Sequence, residues 1–140
     1  MKKISLLIIV ALLGLGWTFY MKYETAHRYD LSHLQSLADS TNQTLPKLLD
    51  SNTQLDTITV SEKRIEQHHT LILVEKIDID LASFKIKAQE IIEENACSNP
   101  HAITLFENGV EQWFTYQDKN NQPVISFKID LSNKCANLVL

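Results

Sequence analysis

Two stretches near the end of the chain decide the fold, residues 110–118 (VEQWFTYQD) and residues 124–131 (VISFKIDL). Apolar and polar side chains alternate along both, which is the period of a β-strand with one buried face. The side chains that share one face are Val110, Gln112, Phe114 and Tyr116 on the first stretch and Ile125, Phe127, Ile129 and Leu131 on the second. Whether this face of the first stretch or the opposite one, with Trp113, covers the core stays open. Residues 119–123 (KNNQP) suit the loop between them. The pattern therefore predicts an antiparallel β-hairpin.

Two helices are predicted directly before this hairpin. The longer one has Asp80 as a suitable N-cap and an apolar stripe at helical spacing. The stripe consists of Leu81, Phe84, Ala88, Ile91 and Ile92. The shorter helix begins at Ser98 or Asn99, has Pro100 in its first turn and ends at Asn108-Gly109.

Two strands and a further helix are predicted upstream. Residues 55–60 are rich in β-branched side chains, and residues 67–76 contain the continuous apolar run Leu71 to Val74, which is typical of a central strand. Residues 61–64 suit the connection between these strands. Before them, a stripe at helical spacing follows Asp30, a candidate N-cap, and consists of Leu31, Leu34, Leu37 and Ala38.

A short helix is also expected from Pro46, with Leu48 and Leu49 buried. The order helix, two strands, two helices, two strands predicts an α+β domain. We expect a small antiparallel sheet with its helices packed on one side (α-ββ-αα-ββ).

The first segment of the chain is strongly apolar. After Lys2 and Lys3 come 18 uncharged residues, 4–21, which would reach about 27 Å as a helix and just span a hydrocarbon core about 30 Å thick. The two lysines favour a cytoplasmic N-terminus and place the rest of the chain outside. We expect a signal-anchor or transmembrane segment in residues 1–21, a juxtamembrane helix or stalk in 22–44 and an exported α+β domain in 45–140.

Two other interpretations of residues 1–21 stay open. One is a cleaved signal peptide, although an aromatic, apolar run follows the small residues Gly14 and Gly16. The other is a buried core helix. Anchor and signal peptide both imply export. The predicted location is therefore the bacterial inner membrane with the C-terminal domain in the periplasm, or the periplasm itself after cleavage.

Cys97 and Cys135 are the two cysteines of the chain and enclose a 39-residue loop. An even pair in an exported domain is most simply a disulfide. Free thiols and a metal site are the alternatives, and His101 is the one histidine near either cysteine in the sequence. We expect a disulfide, no metal and no other cofactor.

Composition disfavours several function classes. Outside residues 1–21 the chain carries a net charge of −6, which disfavours non-specific binding to nucleic acid. Gly109 is the one glycine in that part, so glycine-rich phosphate loops, and with them a nucleotide site of that kind, are excluded. No serine stands in a Gly-x-Ser-x-Gly elbow. We expect no enzymatic activity.

Trp113 is the best single candidate for a binding surface. Alternation puts it on the face opposite Phe114 and Tyr116, and tryptophan is enriched at binding hot spots. Packing is the alternative explanation for this residue. His68 and His69 are adjacent on a predicted strand, so they point to opposite faces and cannot ligate one ion together.

Several short motifs follow one another in a recognisable order. They are Leu45-Pro46 with Asp50, Leu55-Asp56, Cys97, Gly109-Val110 with Tyr116 and Asp118, and Cys135. In this order the chain resembles a loose group of small exported bacterial proteins of uncharacterised function, over about two-thirds of its length. The resemblance supports the export and disulfide predictions and assigns no site residue.

Together these features predict a membrane-tethered extracytoplasmic domain that acts by protein–protein contact. Immunity or inhibitor binding and a secretion-chaperone role both fit. The alternatives are a single-span subunit of a cell-envelope assembly and, third, a small hydrolase. The expected partners are the membrane, through residues 4–21, and a protein.

Overall fold

The computed structural model describes residues 29–135. The predicted transmembrane or signal segment lies outside these residues. Within 29–135 no helix combines the length and the apolar character that crossing a bilayer requires.

The described part is an α+β domain of three helices and a five-stranded sheet, which confirms the predicted class. In chain order the elements are α1 (Leu31–Asn42), β1 (Lys47–Leu48), β2 (Thr53–Ser61), β3 (Arg64–Leu71), a 3-10 turn (Lys76–Asp78), α2 (Leu81–Cys97), α3 (Pro100–Glu107), β4 (Glu111–Asp118) and β5 (Pro123–Lys128).

The strands lie in the order β1-β2-β3-β4-β5, and one neighbouring pair is parallel. The pairs β1–β2, β2–β3 and β4–β5 are antiparallel, whereas β3 and β4 run in the same direction, with Arg64 beside Glu111. The prediction of a fully antiparallel sheet was therefore wrong at this pair. The reason is that α2 and α3 lie between the two strands and carry the chain back to the end of the sheet where β3 begins.

All three helix starts agree with the predicted caps. The Asp30 carboxylate accepts a hydrogen bond from the His33 backbone N–H, and Asp80 accepts from two backbone N–H groups in the first turn of α2. Asn99 caps α3, with Pro100 as its first residue. Gly109 follows α3 with φ +73°, a conformation that other residues rarely adopt.

The strand predicted for residues 67–76 is central but lies earlier in the sequence, at Arg64–Leu71. Asn52 explains where it ends. The Asn52 backbone carbonyl accepts from Ile72 N–H, and its side-chain oxygen accepts from Leu73 N–H. The first bond continues the register of β2 and β3 by one residue, whereas the second gives Leu73 a side-chain acceptor in place of a neighbouring strand, and Leu73 is left 69% exposed.

The helix predicted from Pro46 was wrong, because Lys47–Leu48 forms strand β1. The Asp50 carboxylate accepts from the backbone N–H groups of Asn52 and Thr53 and so stabilises a tight turn. The turn returns the chain as β2, paired with β1. Leu48 and Leu49 are exposed rather than buried.

The core lies between the sheet and the helices, on one face of the sheet. The alternation predicted along residues 110–116 is confirmed, since Val110, Gln112, Phe114 and Tyr116 are all buried. On β5 the irregular pairing after Tyr116 brings Val124 into the core as well. Stacked aromatic rings join the two strands, with 6.1 Å between the ring centroids of Tyr116 and Phe127.

Candidate functional site

A wide groove runs between α1 and α3, with the sheet as its floor. Its volume is about 720 Å³ and it is partly open to solvent. Twelve residues line it: Tyr29, His33, Leu34, Leu37, Ala38 and Thr41 from the α1 side, Ile58, Ile65 and Gln67 from the sheet, and His101, Thr104 and Leu105 from α3. Most of this surface is apolar, so its removal from water is favourable in free energy. We take this concavity as the candidate binding site.

Helix α1 forms one wall and is held firmly on strand β2. Leu34 is fully buried and Ala38 nearly so, which anchors the inner face of the helix. At its C-terminus the Asn42 amide pairs with the Ile58 backbone, donating to the carbonyl oxygen and accepting from the N–H, both at 2.8 Å. Leu37, beside the buried stripe, stays 47% exposed and faces the groove.

Helix α3 forms the other wall and is held from below by Gln112. The buried amide of Gln112 donates a hydrogen bond of 2.9 Å to the carbonyl oxygen of Ala102. Ala102 itself is buried, so the inner face of α3 packs closely on β4. His101 and Leu105 are left on the groove side.

The groove contains four polar side chains whose hydrogen-bonding groups are unused within residues 29–135. They are the amide of Gln67 on the floor, and the imidazoles of His33 and His101 and the hydroxyl of Tyr29 on the two walls. The His33 ring does pack edge-on against Tyr29, with 6.4 Å between ring centroids. None of the twelve lining residues is Asp, Glu, Lys or Arg. The groove is thus an uncharged apolar surface with a few unused hydrogen-bonding groups.

His69 lies two residues beyond Gln67 on the same strand and is buried beneath the helices. Its ring stacks on Tyr116 with 4.8 Å between centroids, and its Nδ1 has no hydrogen-bond partner among the described residues. Burial lowers the pKa of His69 and raises that of Tyr116 to about 12. His68 points to the opposite face, as predicted, where its Nε2 lies 2.9 Å from the Thr59 hydroxyl.

Trp113 lies on the helix-free face of the sheet, opposite the groove. The Arg64 guanidinium stacks 4.1 Å from its ring centroid, and its Nε1 donates to Glu111. Glu111 in turn pairs with Lys128 at 2.8 Å. The structure therefore separates Trp113 from the groove, and a binding role for this residue stays a prediction.

Cys97 and Cys135 lie at disulfide distance, with their Cα atoms 5.2 Å apart and their sulfur atoms 2.07 Å apart. Cys97 is the last residue of α2, and Cys135 follows β5, so this contact joins the helix layer to the end of the described chain. Nearby, Glu93 is buried and accepts from the Asp130 backbone N–H. No cluster of three metal-ligating side chains occurs within residues 29–135.

The groove itself was missed by the sequence analysis. Leu34, Leu37 and Ala38 were recognised as one helical stripe, but the stripe gives no sign that part of it stays uncovered. His101 was considered only as a neighbour of Cys97. A polar residue at a strand position facing the core, such as Gln67, is the one signal that could have indicated the floor of a site.

The sequence matches no protein-family model and no curated protein, whereas its fold matches solved structures. A Pseudomonas aeruginosa protein that is predicted to be secreted has 18% identity and a TM-score of 0.63, over 75% of this chain and 91% of its own. The pilotin EpsS of the Vibrio vulnificus type 2 secretion system has 11% identity and a TM-score of 0.60, over 80% and 96%. The type II secretion pilotin AspS of Vibrio cholerae has 12% identity and a TM-score of 0.57, over 79% and 95%. At these identities the likeness establishes that the chain shares their fold.

Proposed function

We propose that this chain is an exported, membrane-tethered binding domain that holds an apolar segment of a protein partner, as a secretion chaperone would. The observation that carries the proposal is the groove between α1 and α3. It keeps apolar side chains such as Leu37 and Leu105 in contact with water, although both helices pack tightly on the sheet. Exposed apolar concavities of this kind mark interaction sites, because burying them releases free energy.

The similar folds support the extracytoplasmic part of this proposal. Two of the similar structures are pilotins of type II secretion systems, and the third is a protein predicted to be secreted. We infer that the partner is a component of a secretion apparatus in the cell envelope. In this proposal residues 4–21 hold the chain in the inner membrane and the domain faces the periplasm, with release after signal-peptide cleavage as the alternative.

We propose that the groove binds a partner rather than catalyses a reaction. Catalysis by a nucleophile needs a base within hydrogen-bonding distance of a hydroxyl or thiol. Within residues 29–135 the imidazoles of His33 and His101 bond to no serine, cysteine or carboxylate, and the Thr104 hydroxyl is engaged by the Pro100 carbonyl. The groove offers surface and hydrogen-bonding groups instead.

Site-specific photo-crosslinking in intact cells tests the proposal. A photoreactive residue replaces Leu37 in the groove or, as the matched control, Ile86, which is 67% exposed on α2 outside the groove. We expect a discrete product only at position 37, containing an envelope secretion protein cross-linked through an apolar segment. The product should disappear when Leu105→Asp places a charge on the opposite wall. Identical products at both positions, or lipid alone at position 37, would overturn the proposal.

The same experiment addresses Trp113. A photoreactive residue at position 113 reports on the helix-free face, which the groove partner does not reach. A product at position 113 that persists with Leu105→Asp would assign Trp113 to a second, separate contact. No product there would leave Trp113 as part of the Arg64–Trp113–Glu111 packing.

A further inference from the structure

Gln67 is a polar residue in an apolar setting. It pairs with Ile58 across the sheet and lies on the groove floor with Ile58 and Ile65. Its carboxamide makes no hydrogen bond to any residue in the 29–135 range, so one acceptor oxygen and two N–H donors are available to a ligand. An apolar occupant would bury these atoms unpaired at a cost in affinity.

The electrostatics of the lining restrict what can pair with Gln67. A carboxylate or an ammonium group would need an opposite charge when water leaves the groove, and the twelve lining residues include no Asp, Glu, Lys or Arg. The imidazoles of His33 and His101 offer a carboxylate a positive charge only after each takes up a proton. A neutral group that both donates and accepts avoids that cost. An amide group has this character.

The same protein shows how a side-chain amide pairs with such a group. Asn42 makes two hydrogen bonds of 2.8 Å with the N–H and the carbonyl of Ile58. The carboxamide thus acts as a short substitute for a neighbouring strand. Gln67 has the same chemical group, unused and facing the groove.

We propose that the Gln67 carboxamide, with His33 on one wall of the groove and His101 on the other, binds a neutral amide group within the apolar segment of the partner. The inference rests on the proposed function and adds a specificity-determining residue to it. Leu37 and Leu105 supply apolar contact with many peptide segments, whereas Gln67 favours segments that place an amide group at the groove floor. The amide is a backbone peptide group of an extended stretch, as in the pairing of Asn42 with Ile58. A side-chain amide of Asn or Gln is the outcome of the test that would contradict this source.

Selected peptides provide the probe. Peptides of about twelve residues are selected from a random display library against the full chain in lipid nanodiscs. Those whose binding is lost with Leu37→Asp are kept, and their affinities are measured by fluorescence anisotropy. The test variant is Gln67→Met, which has nearly the same shape without the amide. The control is Gln122→Met, at an exposed glutamine in the β4–β5 loop.

We expect Gln67→Met to weaken binding about tenfold or more, because the amide of the peptide then loses its partner. Gln122→Met should leave the affinity unchanged. A backbone ester scan and a separate replacement of each Asn or Gln of the peptide by norleucine distinguish the two sources. A peptide change that weakens binding to the wild type but causes no further loss of affinity in the Gln67→Met protein identifies the amide that pairs with Gln67.

The outcomes separate this inference from the proposed function. If groove-binding peptides bind the Gln67→Met protein as tightly as the wild type, or more tightly, the groove floor contributes only apolar contact to binding. The inference about Gln67 is then wrong, while the proposal that the groove is the binding site stands. If no selected peptide depends on Leu37, the groove is not the binding site and both proposals fail. Circular dichroism of both Met variants should match the wild type, since neither amide has a partner among the described residues.

Discussion

The side-chain amide of Asn42 occupies the edge of strand β2 at Ile58 as a neighbouring strand would. Both the N–H and the carbonyl of Ile58 are bonded to it at 2.8 Å. Strand β1 covers only the first part of β2, at Gln54 and Leu55, so the amide satisfies backbone groups that β1 does not reach. An exposed strand edge invites pairing with other chains, and Asn42 blocks this one while it fastens helix α1.

Replacing this residue should therefore weaken both the edge and the groove wall. Asn42→Ala leaves two backbone groups of Ile58 without their partner, and we expect a loss of about 1–3 kcal/mol in the free energy of unfolding. Urea titration of the full chain in mild detergent measures the loss. Asn120→Ala, at an exposed position in the β4–β5 loop, is the matched control. Equal stability of the two variants would contradict the role of Asn42.

His69 should make the stability depend on pH. Because burial lowers its pKa in the folded protein, the unfolded chain takes up a proton first as the pH falls. The free energy of unfolding should then decrease below about pH 6.5, by at most about 1.4 kcal/mol per pH unit from this one group. Above that pH the contribution is fully present. Unfolding titrations between pH 7.5 and 5 measure the slope.

Two variants assign this slope to His69. His69→Phe keeps a ring in the stack with Tyr116 and removes the titrating group, so the slope of the wild type should flatten. His68→Gln, on the helix-free face, removes only a minor charge effect on His69 beside the dominant effect of burial, so it should flatten the slope far less than His69→Phe. A slope that survives His69→Phe would show that other groups cause it.

The Cys97–Cys135 pair should stabilise the C-terminal part of the domain. A bond across the 38-residue separation is worth about 4 kcal/mol in the chain-entropy treatment. Cys135→Ser should cost roughly 2–5 kcal/mol, and hydrogen exchange should increase in β5 before it increases in β3. Reductant should destabilise the wild type and leave Cys135→Ser unaffected. Two titratable thiols in protein isolated from its native compartment without reductant would refute the bond.

The N-terminal prediction concerns residues outside the described range. If residues 1–21 are an uncleaved anchor, the mature protein begins near Met1 and stays with the membrane fraction after a high-salt wash. Mass spectrometry of the intact protein decides between anchor and signal peptide. An N-terminus at Trp17 or His27 would show cleavage.

Much of the secondary structure follows from local chemistry. The alternation along 110–116 predicted which side chains of β4 share a face, and Asp30, Asp80 and Asn99 predicted the starts of the helices. These signals are reliable because a helix cap and an alternating strand pattern each depend on residues that lie only a few positions apart in the sequence. Two predictions of secondary structure failed, at Pro46 and at the Leu71–Val74 run, and both positions depend on Asp50 and Asn52, whose side chains direct a turn and a strand end.

By itself the sequence determined the α+β class, the helix caps and which side chains of the hairpin share a face, because each depends on residues that are neighbours along the chain. Only the tertiary structure decided that β3 and β4 are parallel, that Trp113 faces away from the helices and that Leu37, Gln67 and His101 line one groove. The groove exists because α1 and α3 pack on the same face of the sheet without closing over Ile58 and Ile65. Such a gap depends on the packing of elements that are distant in sequence, and no local pattern encodes it.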